Sequence, residues 1–389
     1  MDLKPLLPIY LGAIIGPMGG VGILTLLPVL CQTWDISIQW ISLAVTSYMI
    51  PYVGFQLFSG SIAQIFDTRR TLLFGFGTYV AGGLLSGFAT DLIMLVVARF
   101  IQGLGGAFIA PIVMALIGDM VEPKHIGKAM GILGVMYTTG VTMGPLIAGI
   151  LEVSLGWSWF FFFLAGFGLT IGTLYWAMGR DSEGTAPKAG KFSDAFILIR
   201  QSFSHHNVRF LSLAAFSLFI GYIGLMTFVA DFLKVSFSLP SDKTGLILSM
   251  GGFFGILASP IAGMLGDRVG RVRIAYLGGG IMVGAILGLA ILEYNYERYL
   301  FLFAVFGIGS ASAWTSLNTL AVEVLPDLRK PVASVYNSFK FSGYAFAPLV
   351  LSLLYVPFSI SGVRLGCIFC ILLSLLFASR MGPAEAENK

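Results

Sequence analysis

At 389 residues the chain could hold several domains, but 57% of it is hydrophobic, 14% aromatic and only 11% charged, where soluble proteins carry about 25% charged residues. That balance excludes a soluble enzyme, and a net charge of +4 spread over loops suits anionic lipid headgroups and gives no nucleic-acid footprint. Cys31, Cys367 and Cys370 all fall in or beside apolar runs. The last two form a C-x-x-C, but no histidine or acid accompanies them, so core packing is expected and no metal or cofactor.

A membrane-spanning helix needs about 20 apolar residues. Runs of that size occupy 6–31, 39–63, 71–90, 92–118, 127–151, 157–179, 209–233, 242–266, 273–293, 298–322, 332–356 and 360–380. The predicted fold class is an all-α integral membrane protein of twelve transmembrane helices. An even number puts both termini on one side. Seventeen lysines and arginines fall on that side, against Lys234, Lys243, Arg298 and Arg364 on the other. Basic loops mark the cytoplasm, so a multi-pass protein of the cell membrane with both termini cytoplasmic is expected. The first run is too long for a signal-peptide core and is expected to be retained.

After the sixth span the composition turns polar and rich in small residues from Arg180 to Gly190, and residues 191–206 then mix phenylalanine and isoleucine with charges. The expected division is a six-helix bundle over 1–180, a cytoplasmic linker with an interfacial helix over 181–208, and a second six-helix bundle over 209–389. A repeat supports the division. Between spans eight and nine stands Gly263-Met-Leu-Gly-Asp267-Arg268-Val-Gly270-Arg271, and 203 positions earlier Gly60 opens a worn copy containing Asp67 and Arg70. The same offset carries Gly106 onto Gly309, Gly140 onto Gly343 and Pro145 onto Pro348. Such agreement predicts a duplicated chain with pseudo-two-fold symmetry.

Polar residues inside the spans are few. Arg99 opens Arg99-Phe-Ile-Gln102-Gly103 on the fourth span. A charge at such depth costs about 3 kcal/mol, so Arg99 must face a partner or a wet cavity. The fifth span carries Gly131, Gly140, Gly144, Pro145 and Gly149, a small-residue face for close helix approach with a proline bend.

Together these patterns resemble the major facilitator superfamily, in particular its twelve-span drug/proton antiporters. The loop pattern G-x-x-x-D-R-x-G-R is matched at Gly263, Asp267, Arg268, Gly270 and Arg271, R-x-x-Q-G at Arg99, Gln102 and Gly103, and the antiporter pattern at Gly131, Gly140, Gly144 and Pro145. In the first-half loop Gln64 replaces the usual aspartate and Asp67 the glycine. The resemblance implies two bundles rocking about a central cavity, a small-molecule substrate and a monomer. It also gives the Gly140–Gly149 segment an inter-bundle contact and the Asp267, Arg268 and Arg271 group a cytoplasmic latch.

Candidates for the substrate or proton pathway are Arg99, Gln102, Tyr137, Tyr222, Asp231, Trp314, Asn318, Lys340 and Tyr344, with Tyr48, Gln56 and Asn337 as further cavity residues. Asp231 reads either as an interfacial acid one turn from Lys234 or as a proton site. Lys340 is expected about 12 Å from the cytoplasmic face, either snorkelling or facing the cavity. The aromatic run Trp159 to Phe163 is expected in lipid or at the interface. Two functions stay open. One is proton-driven export of amphipathic small molecules, with the proton as coupling ion; the other is import or facilitated passage of an anionic metabolite held by Arg99 and Lys340. No paired acids, Ser/His pair or metal ligands lie within the spans, so an enzyme is not expected.

Overall fold

The computed structural model describes residues 7–65, 68–121, 126–178, 192–325 and 328–381. Its first helices are α1 (Leu7–Trp34), α2 (Ile38–Ile41), α3 (Leu43–Ile65), α4 (Thr68–Gly87), α5 (Leu92–Met120), α6 (Ile126–Leu155) and α7 (Ser158–Met178). After them come α8 (Phe192–Ser204), α9 (His206–Phe237), α10 (Ser241–Val269), α11 (Arg271–Ile291), α12 (Tyr296–Glu323) and α13 (Arg329–Ser379). The described residues contain no strand. Among them nine helices are long and apolar enough to cross a membrane. One of these, α13, contains two spans, and α3 and α4 complete the twelve.

Local chemistry sets several boundaries. The Asp91 side chain accepts from the Met94 N–H at 2.9 Å and so caps the start of α5, and Asn295 does the same for α12. Gly270, at φ 99°, ends α10 in a conformation that side chains resist. Spans expected to be separated by a short loop are joined instead at a single non-helical residue, Ser359, just after Pro357. The chain then doubles back, bringing Gly366 against Leu351 and Leu354.

The chain divides into two compact units, Met1–Asp194 and Ala195–Lys389. In the first, α1 packs on α6, both α3 and α4 pack on α5, and α4 meets α7. The second repeats the scheme, with α9 on α13, α10 and α11 on α12, and α11 on α13. The crossings repeat as well, but α5 and α12 match at an offset of 204 (307 − 103), one more than the sequence repeat, so that Gly309 answers to Gly105 and not to Gly106. Gly103 lies against the Tyr48 backbone and Gly307 against that of Gly251; Gly105 lies against Gly75 and Gly309 against Gly278; Gly140 lies against the Ile14 carbonyl and Gly343 against that of Phe216. Any Cβ there would run into main chain. Lipid gives helices no hydrophobic reason to associate, so close backbone approach and the dispersion it brings hold each unit together. Large apolar side chains such as Phe88, Ile93, Phe301, Leu365 and Phe369 stay uncovered, as a lipid-facing surface requires.

Two expectations change here. Phe160 and Phe161 are fully buried, while Trp159 and Phe163 remain exposed. The aromatic run is thus half core, because consecutive helical residues cannot all face outward. Arg364, counted with the outer-side charges although it falls inside the run 360–380, is buried within α13.

Candidate functional site

In the first unit Arg99 sits on α5 with no solvent exposure. Its Nε donates to the Ala44 carbonyl at 3.3 Å, Nη1 to Gln102 Oε1 at 2.6 Å and Nη2 to the Gly19 carbonyl at 2.9 Å. The Tyr48 ring lies 4.0 Å from the guanidinium and that of Phe161 5.8 Å. Glycine at 19 makes room for this, since a Cβ there would crowd the Tyr79 hydroxyl and touch that of Tyr48. Those hydroxyls donate to the carbonyls of Gly16 and Ile15, at 2.8 and 2.9 Å. Of the two settings the sequence allowed Arg99, the structure has the first: partners on α1, α3 and its own helix. Tyr48, expected to line a cavity, is a wall of this cradle, and Tyr137 bonds the Ala110 carbonyl at 3.1 Å, tying α6 to α5.

The glycine face of α6 also turns inward. Gly140 and Gly144 meet backbone of α1 around Ile14, Met18 and Gly22, and Thr25 of α1 donates to the Pro145 carbonyl at 3.4 Å. These are contacts inside the first unit, with Gly149 buried farther along the same helix. The side chain of Gln56 and the details of Gly60, Asp67 and Gly131 lie outside the described residues. Arg70 is exposed, and its neighbour Arg69 donates to the Trp176 carbonyl at 2.9 Å.

In the second unit an aromatic wall spans α9, α12 and α13. Tyr222 stacks on Phe306 at 5.6 Å and meets Trp314 edge-on at 5.5 Å, while Phe219 stacks on Trp314 at 5.9 Å. Lys340 stands at the end of this wall. Its ammonium lies 4.9 Å from the Phe341 ring, 5.6 Å from Tyr336 and 5.8 Å from Phe219. Tyr222, Trp314 and Lys340 are thus brought together, and Tyr344 is buried one turn beyond Lys340. Asn318 is not brought in; its side chain is exposed. Phe219, Tyr336 and Phe341 were missed, since nothing distinguishes a wall phenylalanine from a lipid-facing one in a chain of 33.

Asp231 is buried on α9, and its Oδ2 accepts from Tyr355 of α13 at 2.6 Å. Pairing with Lys234 is replaced by this bond, because Asp231 points into the unit. Nearby in sequence, Arg364 donates to the Tyr299 hydroxyl at 3.0 Å, with the Phe232 ring at 5.5 Å. Arg364 could have been found by its place inside a predicted span, whereas Tyr355 and Tyr299 carry no such signal.

The loop motif forms a clasp. Arg271 donates to Asp267, to the Gly263 carbonyl at 2.8 Å and to both carboxylate oxygens of Glu323, at 3.1 and 3.4 Å. It joins α10, α11 and α12. Arg268 is exposed and outside this network, and a Cβ at Gly263 would meet nothing within 4 Å, so close packing is not the role of that glycine. Glu323 was missed because its partner is 52 residues away. No cluster of three or more His, Cys, Asp or Glu residues able to hold a metal occurs among the described residues.

The sequence profile of the Major Facilitator Superfamily matches residues 9–348, and the chain belongs to that superfamily. The family match and the long apolar helices make it a multi-pass membrane protein. It is 23% identical to the multidrug transporter protein MdtP of Bacillus subtilis, over 80% of this chain and 64% of that one. A second relative, the multidrug resistance protein B homolog of Mycobacterium tuberculosis, is 24% identical over 72% of this chain and 62% of its own. The chain therefore spans under two thirds of the length of these two relatives. Against the bacillibactin exporter of Bacillus subtilis it is 24% identical over 95% of each chain. Among solved structures, a bacterial homolog of the human lysosomal transporter Spinster, in an inward-facing and unoccupied conformation, superposes with a TM-score of 0.74 at 15% identity over 97% of both chains, which establishes the shared fold.

Proposed function

We propose that the protein exports amphipathic small molecules in exchange for protons, exposing its binding residues to each side of the membrane in turn. The observation that carries the coupling is Asp231. Among the described residues it is the buried carboxylate on a spanning helix, and its partner Tyr355 is neutral and on another helix. A carboxylate on a spanning helix is costly and marks an ion or proton route by default. The aromatic wall beside Lys340 supplies faces for bulky solutes without strict hydrogen-bond geometry. The names of the three relatives, two of multidrug type and one an exporter, support the direction. In this reading both termini face the cytoplasm, the membrane is the cell membrane, and the protein works as a monomer.

The test is internal pH in liposomes of purified protein while cationic, neutral and anionic amphiphiles are added across an imposed proton gradient. Compound-triggered proton movement that Asp231→Asn abolishes, with substrate binding retained, is the expected result. Equal proton movement in Asp231→Asn would remove Asp231 from the route. The second reading, facilitated passage of an anion, is favoured by Lys340 alone, since carbonyls and Gln102 take up the donors of Arg99. Anion flux without proton movement would put that reading first.

A further inference from the structure

On α13, Tyr336 and Lys340 are one turn apart and share a helix face. The Tyr336 hydroxyl is buried, with the residue 2% exposed, and has no hydrogen-bond partner. Among the described residues the Lys340 ammonium has ring faces around it and no carboxylate or carbonyl. Rings attract a cation weakly, and they offer a lysine none of the acceptors its three donors need. Two neighbouring donor groups on one helix therefore lack an acceptor, at the end of a wall in which Phe219 stacks on Trp314 and Trp314 abuts Tyr222. The duplicated position in the first unit, 203 residues earlier, is Tyr137, whose hydroxyl is satisfied by the Ala110 carbonyl. At this duplicated post the unmet donor belongs to the second unit.

We infer that the second unit binds a flat aromatic carboxylate, its anionic group on Lys340 with the Tyr336 hydroxyl as second donor, and its ring on Trp314 and Phe219. The inference rests on the reading of the protein as a carrier of amphipathic solutes and names their class. A charge-assisted bond fixes one end of the solute, and stacking accepts rings of varied outline at the other. Selectivity is then sharp for charge and loose for shape.

The experiment is calorimetric titration of the purified full-length protein in lipid nanodiscs with cinnamate, cinnamamide and cinnamylamine, which share a ring and differ in the terminal group. Cinnamate should bind at least tenfold tighter than the amide. Lys340→Gln should erase that ratio and Lys340→Arg retain most of it. Trp314→Ala should weaken acid and amide alike, leaving their ratio intact. Melting temperature confirms that each variant is folded. An acid-to-amide ratio unchanged in Lys340→Gln, or cinnamylamine as the tightest ligand, overturns the inference. The same compounds in the liposome assay separate it from the exporter reading. Proton movement driven by cinnamylamine and not by cinnamate leaves the exporter standing without the anion site. A Lys340-dependent acid preference with no proton movement leaves the anion site without the antiporter.

Discussion

Arg99 has partners on α1, α3 and α5, and its fork geometry is what those partners fit. Lysine would keep the charge and lose the three-way donation, while a buried charge stripped of its bonds costs about 3 to 5 kcal/mol. Arg99→Lys should therefore lower the melting temperature of the detergent-purified protein by several degrees, and a melting temperature equal to that of the unaltered protein would mean the cradle is dispensable. Loss of transport in an Arg99 variant consequently says little about protons, which is why Asp231→Asn is the better probe of coupling. Arg99 and Gln102 stood out in the sequence because a charge inside a span is rare. Their acceptors did not, since any residue supplies a carbonyl and only the fold decides that those of Gly19 and Ala44 arrive. Asp231 was legible as an acid near a span end, but its burial depended on the rotation of α9, which an almost uniformly apolar helix does not reveal.

At the scale of helices, the crossings at Gly103 and Gly307 make the same demand in the two units. A methyl group at either would press on backbone that cannot move aside, and overpacking of this kind costs about 1 to 3 kcal/mol. Gly103→Ala and Gly307→Ala should each depress thermal stability, whereas Gly263→Ala, where a Cβ would meet nothing within 4 Å, should leave it unchanged; comparable melting temperatures for all three would refute this ranking. The glycine spacing on α6 was readable as a contact surface, yet not the identity of its partner, because small residues say how near a neighbour comes and not which one it is. Likewise the run Trp159 to Phe163 has no polar residue to mark its inner side, so the split between core and lipid emerged only with the helix in place.

For the molecule as a whole, the clasp is a device of exposed charge. Asp267 and Glu323 side chains are 63% and 44% exposed against 15% for Arg271, and a pair whose carboxylate stays in water contributes about 1 kcal/mol or less. Glu323→Gln should thus leave the melting temperature unaltered while changing the transport rate; loss of stability with an unaltered rate would make the clasp a structural tie only. Orientation is testable separately. With the native cysteines replaced, Arg268→Cys should react with a membrane-impermeant maleimide only after intact cells are opened, and Ser238→Cys should react before. The reverse pattern would invert the topology. The twofold plan was the most legible feature of all, because a constant offset of landmarks survives where individual residues have drifted, and the contacts of α1 to α7 recur in α9 to α13.

The matched crossings also separate what the two halves share from what they do not. Gly103 and Gly307, or Gly140 and Gly343, hold the same posts in both halves, but the post of Arg99 is filled by Phe303 in the second half and that of Lys340 by Tyr137 in the first. The frame is common to the two halves, and each charged group belongs to one half alone. The helix scaffold therefore repeats while the charge it carries does not, so the two halves present different chemistry from the same arrangement of backbones.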